Sequence, residues 1–267
     1  MIDDQLNYNS HVDYACDKAA KATTALTRVM ANSSAISSRK RRLLASVSTS
    51  VLRYGAPVWA AGGITKRNLT RLNSTYRLMA MRVASAYRTI SMDAVCVIVG
   101  MTPIKILLEE DCACYGLRGT MGARKIARVD SMRKWQQDWD SSSKGRWTYR
   151  LIPNLQSWED RKHGEVNFFL TQFLYRFGHA ESPLCAACPN CEETPEHVIF
   201  DCPRFRAERS WISTVSTRSI NPDNIVQEMC ENENTWNMVN RAVTQIMLSL
   251  QRKWREDQRA LDSERRR

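Results

Sequence analysis

The chain has 267 residues, enough for a sizeable core, and 39 Lys and Arg against 28 Asp and Glu give a formal charge of +11. That excess favours a polyanionic partner through counterion release. Nine dispersed cysteines exclude a disulfide scaffold, Met1 to Tyr8 lack the segments of a secretory leader, and the longest strongly apolar run, Ala94 to Met101, is far too short to span a bilayer. The expectation is a cytosolic or nuclear protein in a reducing compartment, not secreted and with no membrane partner.

The first half reads as helices. Val12, Ala15, Cys16, Ala19, Ala22, Leu26, Val29 and Met30 fall at helical spacing. Ser37 or Ser38 can cap a second helix whose apolar face is read as Leu43, Leu44, Val47, Val51 and Leu52, ending near Gly55-Ala-Pro57. Gly62-Gly63 makes a turn, and Thr65 caps a helix carrying Leu69, Leu72, Tyr76, Met79, Val83 and Tyr87. Ser91 opens a shorter helix that stops at Gly100. Pro103 begins another that runs toward Trp135 and Trp139, with breaks near Gly119 and Gly122. The remaining isolated cysteines, Cys16, Cys96, Cys112, Cys114 and Cys230, lie in helical patterns and are expected to be reduced core or boundary residues.

Asp140-Ser-Ser-Ser-Lys-Gly145 has linker composition, so the division expected is 1–139 helical, 140–165 linker and irregular, and 166–267 knuckle-bearing. Val166 to Phe177 predicts an amphipathic helix. Short helices are expected near 204–217 and 222–231. A final long helix carries Trp236, Val239, Val243, Ile246, Met247, Leu250 and Trp254. The fold class is mainly α, with no long alternating strand and no internal repeat.

The most specific chemistry lies between positions 185 and 202. Cys185-x2-Cys188-x8-His197-x4-Cys202 offers three thiolates and one imidazole, a complete tetrahedral shell for a structural zinc ion with no open position for catalysis. Cys191 complicates the assignment, because Cys188-x2-Cys191-x5-His197-x4-Cys202 is equally acceptable by spacing. Thr194-Pro195 reads as a helix start that carries His197 toward the cysteine loop. Arg204, Arg206 and Arg209 beside the knuckle, and the run Arg39-Lys40-Arg41-Arg42, are candidate phosphate contacts; Arg265-Arg266-Arg267 is a further basic run.

No catalytic residue is assigned. Glu109-Glu110-Asp111 reads as a solvated helix face, and Asp3-Asp4 has no flanking strand. Asp130, Asp138, Asp140, Glu159, Asp160 and His163 are nuclease candidates by residue type alone, and His163 and His179 read as structural histidines. Trp135, Trp139, Trp147 and Trp158 sit among basic residues and could stack bases, but read chiefly as core.

Several strings together resemble a known family. They include His11-Val-Asp-Tyr-Ala-Cys-Asp-Lys18, Leu52-Arg-Tyr-Gly-Ala-Pro-Val-Trp59, Leu72 to Arg82, Trp147-Thr-Tyr-Arg-Leu-Ile-Pro153, His163 to Gln172, and Glu192 to Phe205. Nearly the whole chain resembles the C-terminal part of the Pol polyprotein of a non-LTR (type I) retrotransposon, in particular the R-one type that inserts into insect ribosomal DNA. The resemblance implies a reverse transcriptase (RNA-directed DNA polymerase) with an associated endonuclease, and a thumb-like role for the segment up to about residue 110. It implies a knuckle that binds element RNA or ribosomal DNA target, with Cys185, Cys188, His197 and Cys202 as ligands. The family's aromatic-Ala-Asp-Asp turn, which would hold Mg2+ for polymerisation, does not occur in this sequence, so the expectation is a segment of a longer protein that cannot polymerise alone.

Overall fold

The computed structural model describes residues 7–31, 37–175, 184–214 and 218–264. The mainly α expectation holds: among the described residues there is no strand, only an isolated antiparallel bridge between Leu184 and Glu192. The helices are α1 (Asn9–Ala31), α2 (Ser38–Arg53), α3 (Ala56–Trp59), α4 (Lys66–Ala84), α5 (Met92–Val99), α6 (Ile104–Gly116), α7 (Ala123–Ser141), α8 (Arg146–Leu151), α9 (Leu155–Asp160), α10 (Phe168–Tyr175), α11 (Arg206–Ser213), α12 (Ile225–Glu231) and α13 (Glu233–Glu264).

Local capping chemistry sets many of these boundaries. The hydroxyls of Ser37, Thr65 and Ser91 accept from the amides of Lys40, Asn68 and Ala94, so each satisfies one orphan donor at the start of its helix. Gly100 ends α5 in the left-handed conformation. Ser85 ends α4 the same way at φ 54°, so Tyr87, predicted as part of that helix, lies beyond it.

Helices α1, α2 and α4 pack on one another, and α5 lies against α4. The face of α2 differs from the predicted one. Ala45, Ser48 and Leu52 are buried, whereas Leu43 and Val47 are 70% and 51% exposed. Small residues let α1 approach closely here, and Thr23 donates to Ser48 Oγ at 3.0 Å across the contact. Leu52 is buried and Val51 packs on the core as expected, but a reading by hydrophobicity alone counted the exposed Leu43 and Val47 and missed Ala45 and Ser48.

Glu109, Glu110 and Asp111 on α6 are not a solvated face. Asp111 takes a bidentate pair from Arg53 of α2 (2.7 and 2.8 Å), Glu110 lies 3.4 Å from Arg128 and Glu109 3.4 Å from Lys134, both on α7. The three acids fasten α6 to both neighbours.

Residues 142–145 form a turn against α5: Ser142 donates to Asp93 at 2.7 Å, and a Cβ on Gly145 would lie 3.0 Å from Ala94 Cβ. The chain then returns along α7, where the Trp139 indole donates to Ile152 O (2.9 Å) and Gln136 bonds both Pro153 O and Leu155 N. Trp135, Trp139 and Trp158 are almost wholly buried, and Trp147 donates to Phe173 O while packing edge-on to its ring. All four belong to the core.

Helix α10 joins the first half of the chain to the second. Thr171 donates to Ala84 O at the end of α4, and Tyr175 OH accepts from Tyr87 N. Helix α13 closes the second half: Trp236, Val239, Val243 and Ile246 are buried against α10, α11 and α12. Among the described residues no helix is long and apolar enough to cross a membrane.

Candidate metal centre

The site begins with a short hairpin. Cys185 N donates to Cys191 O at 2.7 Å, Cys191 N donates to Cys188 O, and Asn190 turns the chain with φ 61°. This loop carries Cys185 and Cys188. The opposing pair comes from the segment opened by Thr194, whose hydroxyl accepts from His197 N at 3.1 Å, as the capping pattern predicts.

From there the backbone widens into a π-turn over His197–Asp201, and Cys202 N donates to His197 O at 2.7 Å. The widening has a geometric use. Residues five apart on an ordinary helix are separated by about 140° around the axis. An i→i+5 turn brings them roughly onto one side.

The outcome is convergence. One ligand atom each from Cys185, Cys188, His197 and Cys202 lies within 4.8 Å of all the others. Cys185 Sγ and Cys202 Sγ are 3.8 Å apart, too far for a disulfide. Two thiolates on a tetrahedral zinc ion with Zn–S about 2.3 Å would be separated by about 3.8 Å. His197 Nε2 is buried and makes no hydrogen bond with a described residue, which suits a metal ligand. Cys191 is outside the group and alone among the nine cysteines is exposed. The four side chains could therefore hold a metal ion, and they fit zinc.

Electrostatics favour a cation at the centre. Burial works against ionisation of Cys185, but the Ala187 amide, the His197 ring, the Cys202 thiol and the Cys188 amide outweigh it and bring the thiol down to about 6. Burial and the adjacent Cys185 and Cys202 push Cys188 up to about 11. One thiolate forms readily and the next resists until positive charge arrives. Arg204 supplies part of that charge: its Nε lies 3.3 Å from Cys202 Sγ, its Nη2 3.3 Å from Cys185 Sγ, and it also pairs with Glu193.

The knuckle is tied to its surroundings by Arg150 of α8. Its guanidinium grips both oxygens of Glu196 (2.8 and 2.9 Å) and both of Asp223 (2.7 and 3.1 Å). Val198, Ile199 and Phe205 are buried beneath, and Phe200 leans on Phe173.

The chain has relatives among known proteins. It is 24% identical to a "Retrovirus-related Pol polyprotein from type-1 retrotransposable element R1" of Bradysia coprophila, with 77% of this chain and 23% of that protein covered. It is 26% identical to a "Putative 115 kDa protein in type-1 retrotransposable element R1DM" of Drosophila melanogaster, covering 76% of this chain and 23% of that protein. The chain is similar to R1-type retrotransposon polyproteins. A third relative, the "Retrovirus-related Pol polyprotein from type-1 retrotransposable element R1 4" of Nasonia vitripennis, is 26% identical over 54% of this chain and 43% of its own length. The R1-like chain thus spans under a quarter of the first two relatives. No protein-family model matches it, and no solved structure matches it.

The other candidate residues of the R1-like chain do not converge on a second centre. Among the described residues no further group of three or more potential metal ligands comes together. His163 Nε2 lies 2.8 Å from Met229 O, with the ring edge-on to Trp236, a structural placement. Glu159 pairs with Arg42, Asp130 with Arg133 and Lys134, and Asp140 receives Gln136 and Tyr149. Asp138 stands with none of them. Asp3, Asp4, His179 and Arg265 to Arg267 fall outside the described residues.

Of the candidate phosphate contacts, Arg204 is committed to the thiols, Arg206 is exposed, and Arg209 reaches Asp201 O at 3.5 Å. In the run on α2, Arg39 donates to Lys162 O, Lys40 is exposed, Arg41 donates to Val83 O, and Arg42 contacts Val99 O and Glu159. Arg150 was missed by sequence reasoning, although the Trp147–Pro153 string that contains it was singled out. A lone arginine gives no sign of which two acids it will reach.

Proposed function

We propose that this chain is a nucleic-acid-binding part of a retroelement polyprotein, built around a structural zinc knuckle, that holds element RNA or ribosomal DNA target for a polymerase and endonuclease acting elsewhere. The observation that carries the reading is the convergence of Cys185, Cys188, His197 and Cys202 at zinc geometry in a chain of charge +11. The relatives named above, Pol polyproteins of type-1 elements, supply the context.

Under this reading residues 1–139 form a thumb-like helical part, 140–165 connect, and 166–267 carry the knuckle. The metal is structural: four protein ligands close its shell, and no step of chemistry is assigned to it. Exposed Arg206 and Lys40 are free to meet phosphate, whereas Arg204 positions the ligand thiols. Nine cysteines without a disulfide suit a reducing nucleus or cytosol.

The test is binding of the zinc-loaded chain to element RNA and ribosomal DNA across a salt series, before and after chelation. Binding that weakens linearly in log salt, and weakens again when zinc is removed, is the expected result. Binding indifferent to both would overturn the reading.

One observation favours a second reading, a protein-interaction module. Beyond Leu250, helix α13 is almost entirely exposed, with Trp254 and Leu261 each more than a third accessible. Helix pairing there would appear as a dimer in light scattering that deletion of residues 251–267 abolishes.

A further inference from the structure

We infer that the groove along α2 is a track for the phosphodiester backbone of a polynucleotide, separate from the knuckle. The inference rests on the nucleic-acid role proposed above and locates a second, larger contact surface.

Two clefts flank α2 and share Arg42 and Ser46. The first, about 950 Å³, lies between α2, α6 and the start of α7. Arg42, Arg53, Arg118, Arg124 and Arg128 line it, and Asp111 is its one lining carboxylate. The second, about 670 Å³, lies between α2 and the segment 159–166. Arg39, Arg42, Arg161 and Lys162 line it, and Glu159 is its one lining carboxylate. The clefts meet at Arg42, so positive charge lines both along the length of α2.

The cations differ in how far they are already engaged. Arg53 is bound to Asp111, Arg42 sits 3.5 Å from Glu159, and Arg161 is stacked 3.8 Å over Trp158. Arg118 and Arg124, both exposed, make no ion pair with a described residue. Arg118 instead lies 4.9 Å over the ring of Tyr115. The partnered arginines are held in place, and Arg118 and Arg124 add positive charge that no carboxylate of a described residue neutralises.

The dimensions and chemistry fit a nucleic-acid strand. Sixteen residues of α2 span roughly 24 Å, long enough for several consecutive phosphates of one strand. Arginine supplies all the lining cations but Lys162, and its fork matches phosphate oxygens bidentately. Tyr54 and Tyr115, 80% and 55% exposed, line the first cleft, and aromatic rings of this kind can stack bases. A flat bilayer cannot enter a concave channel of this kind.

The experiment compares the zinc-loaded chain with Arg118→Gln/Arg124→Gln and with Arg252→Gln/Arg255→Gln. The second pair removes equal charge from the exposed end of α13. Affinity for short single-stranded RNA, single-stranded DNA and duplex DNA is measured across salt, with phosphatidylserine vesicles as a further probe. The track variant should lose about tenfold or more at low salt. Its log K against log salt should be shallower by about 1.8 on duplex or about 1.4 on single strands, and the α13 control should change less.

Equal slopes for the two variants would overturn the track. So would vesicle capture by the wild type that the track variant loses. If the track variant matches the control while chelation still weakens binding, the knuckle reading survives alone; if the track variant loses binding that chelation leaves intact, the track survives alone.

Discussion

Arg204 is the residue that makes the thiol cluster tolerable before any metal arrives. Its guanidinium touches Cys185 and Cys202 and is held in place by Glu193. Partners of this kind orient ligands and tune their basicity, so Arg204→Gln should weaken zinc about tenfold or more in chelator competition while leaving the fold intact. Accessibility separates Cys191 from its neighbours. With metal bound, it should be the first cysteine alkylated by a thiol reagent. Chelation should expose Cys185, Cys188 and Cys202 in addition, as read by peptide mass spectrometry. Gly164 shows a different constraint: its φ is +77°, and a Cβ there would run into the Trp236 indole. Gly164→Ala should cost about 2–4 kcal/mol in a urea titration, combining left-handed strain with overpacking. The spacing of the cysteines made the cluster legible, yet it could not choose between Cys185 and Cys191, because that depends on which side chain the hairpin turns outward.

At the scale of the element, capping residues carried most of the readable information. Ser37, Thr65, Ser91 and Thr194 each announce a start that the backbone honours. The π-turn was implicit in His197-x4-Cys202, since five-residue spacing is wrong for an α-helical face. The acids of α6 were misread because helical periodicity does not show which helix lies opposite. Arg53 and Asp111 are 31% and 26% exposed, and removing one leaves the other short of partners. Asp111→Ala should therefore cost about 1–3 kcal/mol by denaturation.

The Arg150 clamp predicts a pH effect. Arg150 holds the Asp223 carboxyl below its usual range. A depressed carboxyl contributes stability above its ordinary pKa of about 4 and loses it as pH falls through the folded value. The gap in urea midpoint between wild type and Arg150→Ala should be full at neutral pH and shrink in acid.

The whole molecule holds together through contacts no local pattern could specify. Helix α10 bonds the end of α4 through Thr171 and receives Trp147 through its own backbone, and α13 covers the second half. The Trp236-to-Trp254 stripe was readable, but the point where it leaves the core was not. Burial runs through Met247 and gives way past Leu250. Truncation after residue 250 should shift Tm by no more than a few degrees, whereas truncation after 235 should unfold the region from 146 onward, as followed by circular dichroism. The account rests above all on a closed shell of Cys185, Cys188, His197 and Cys202 around one metal ion. The most direct measurement is the zinc content of the purified wild type, Cys191→Ser and Cys202→Ser. About one zinc per chain in the first two and none in the third is the predicted result; a wild type without zinc, or a Cys202→Ser variant that retains it, would contradict the account.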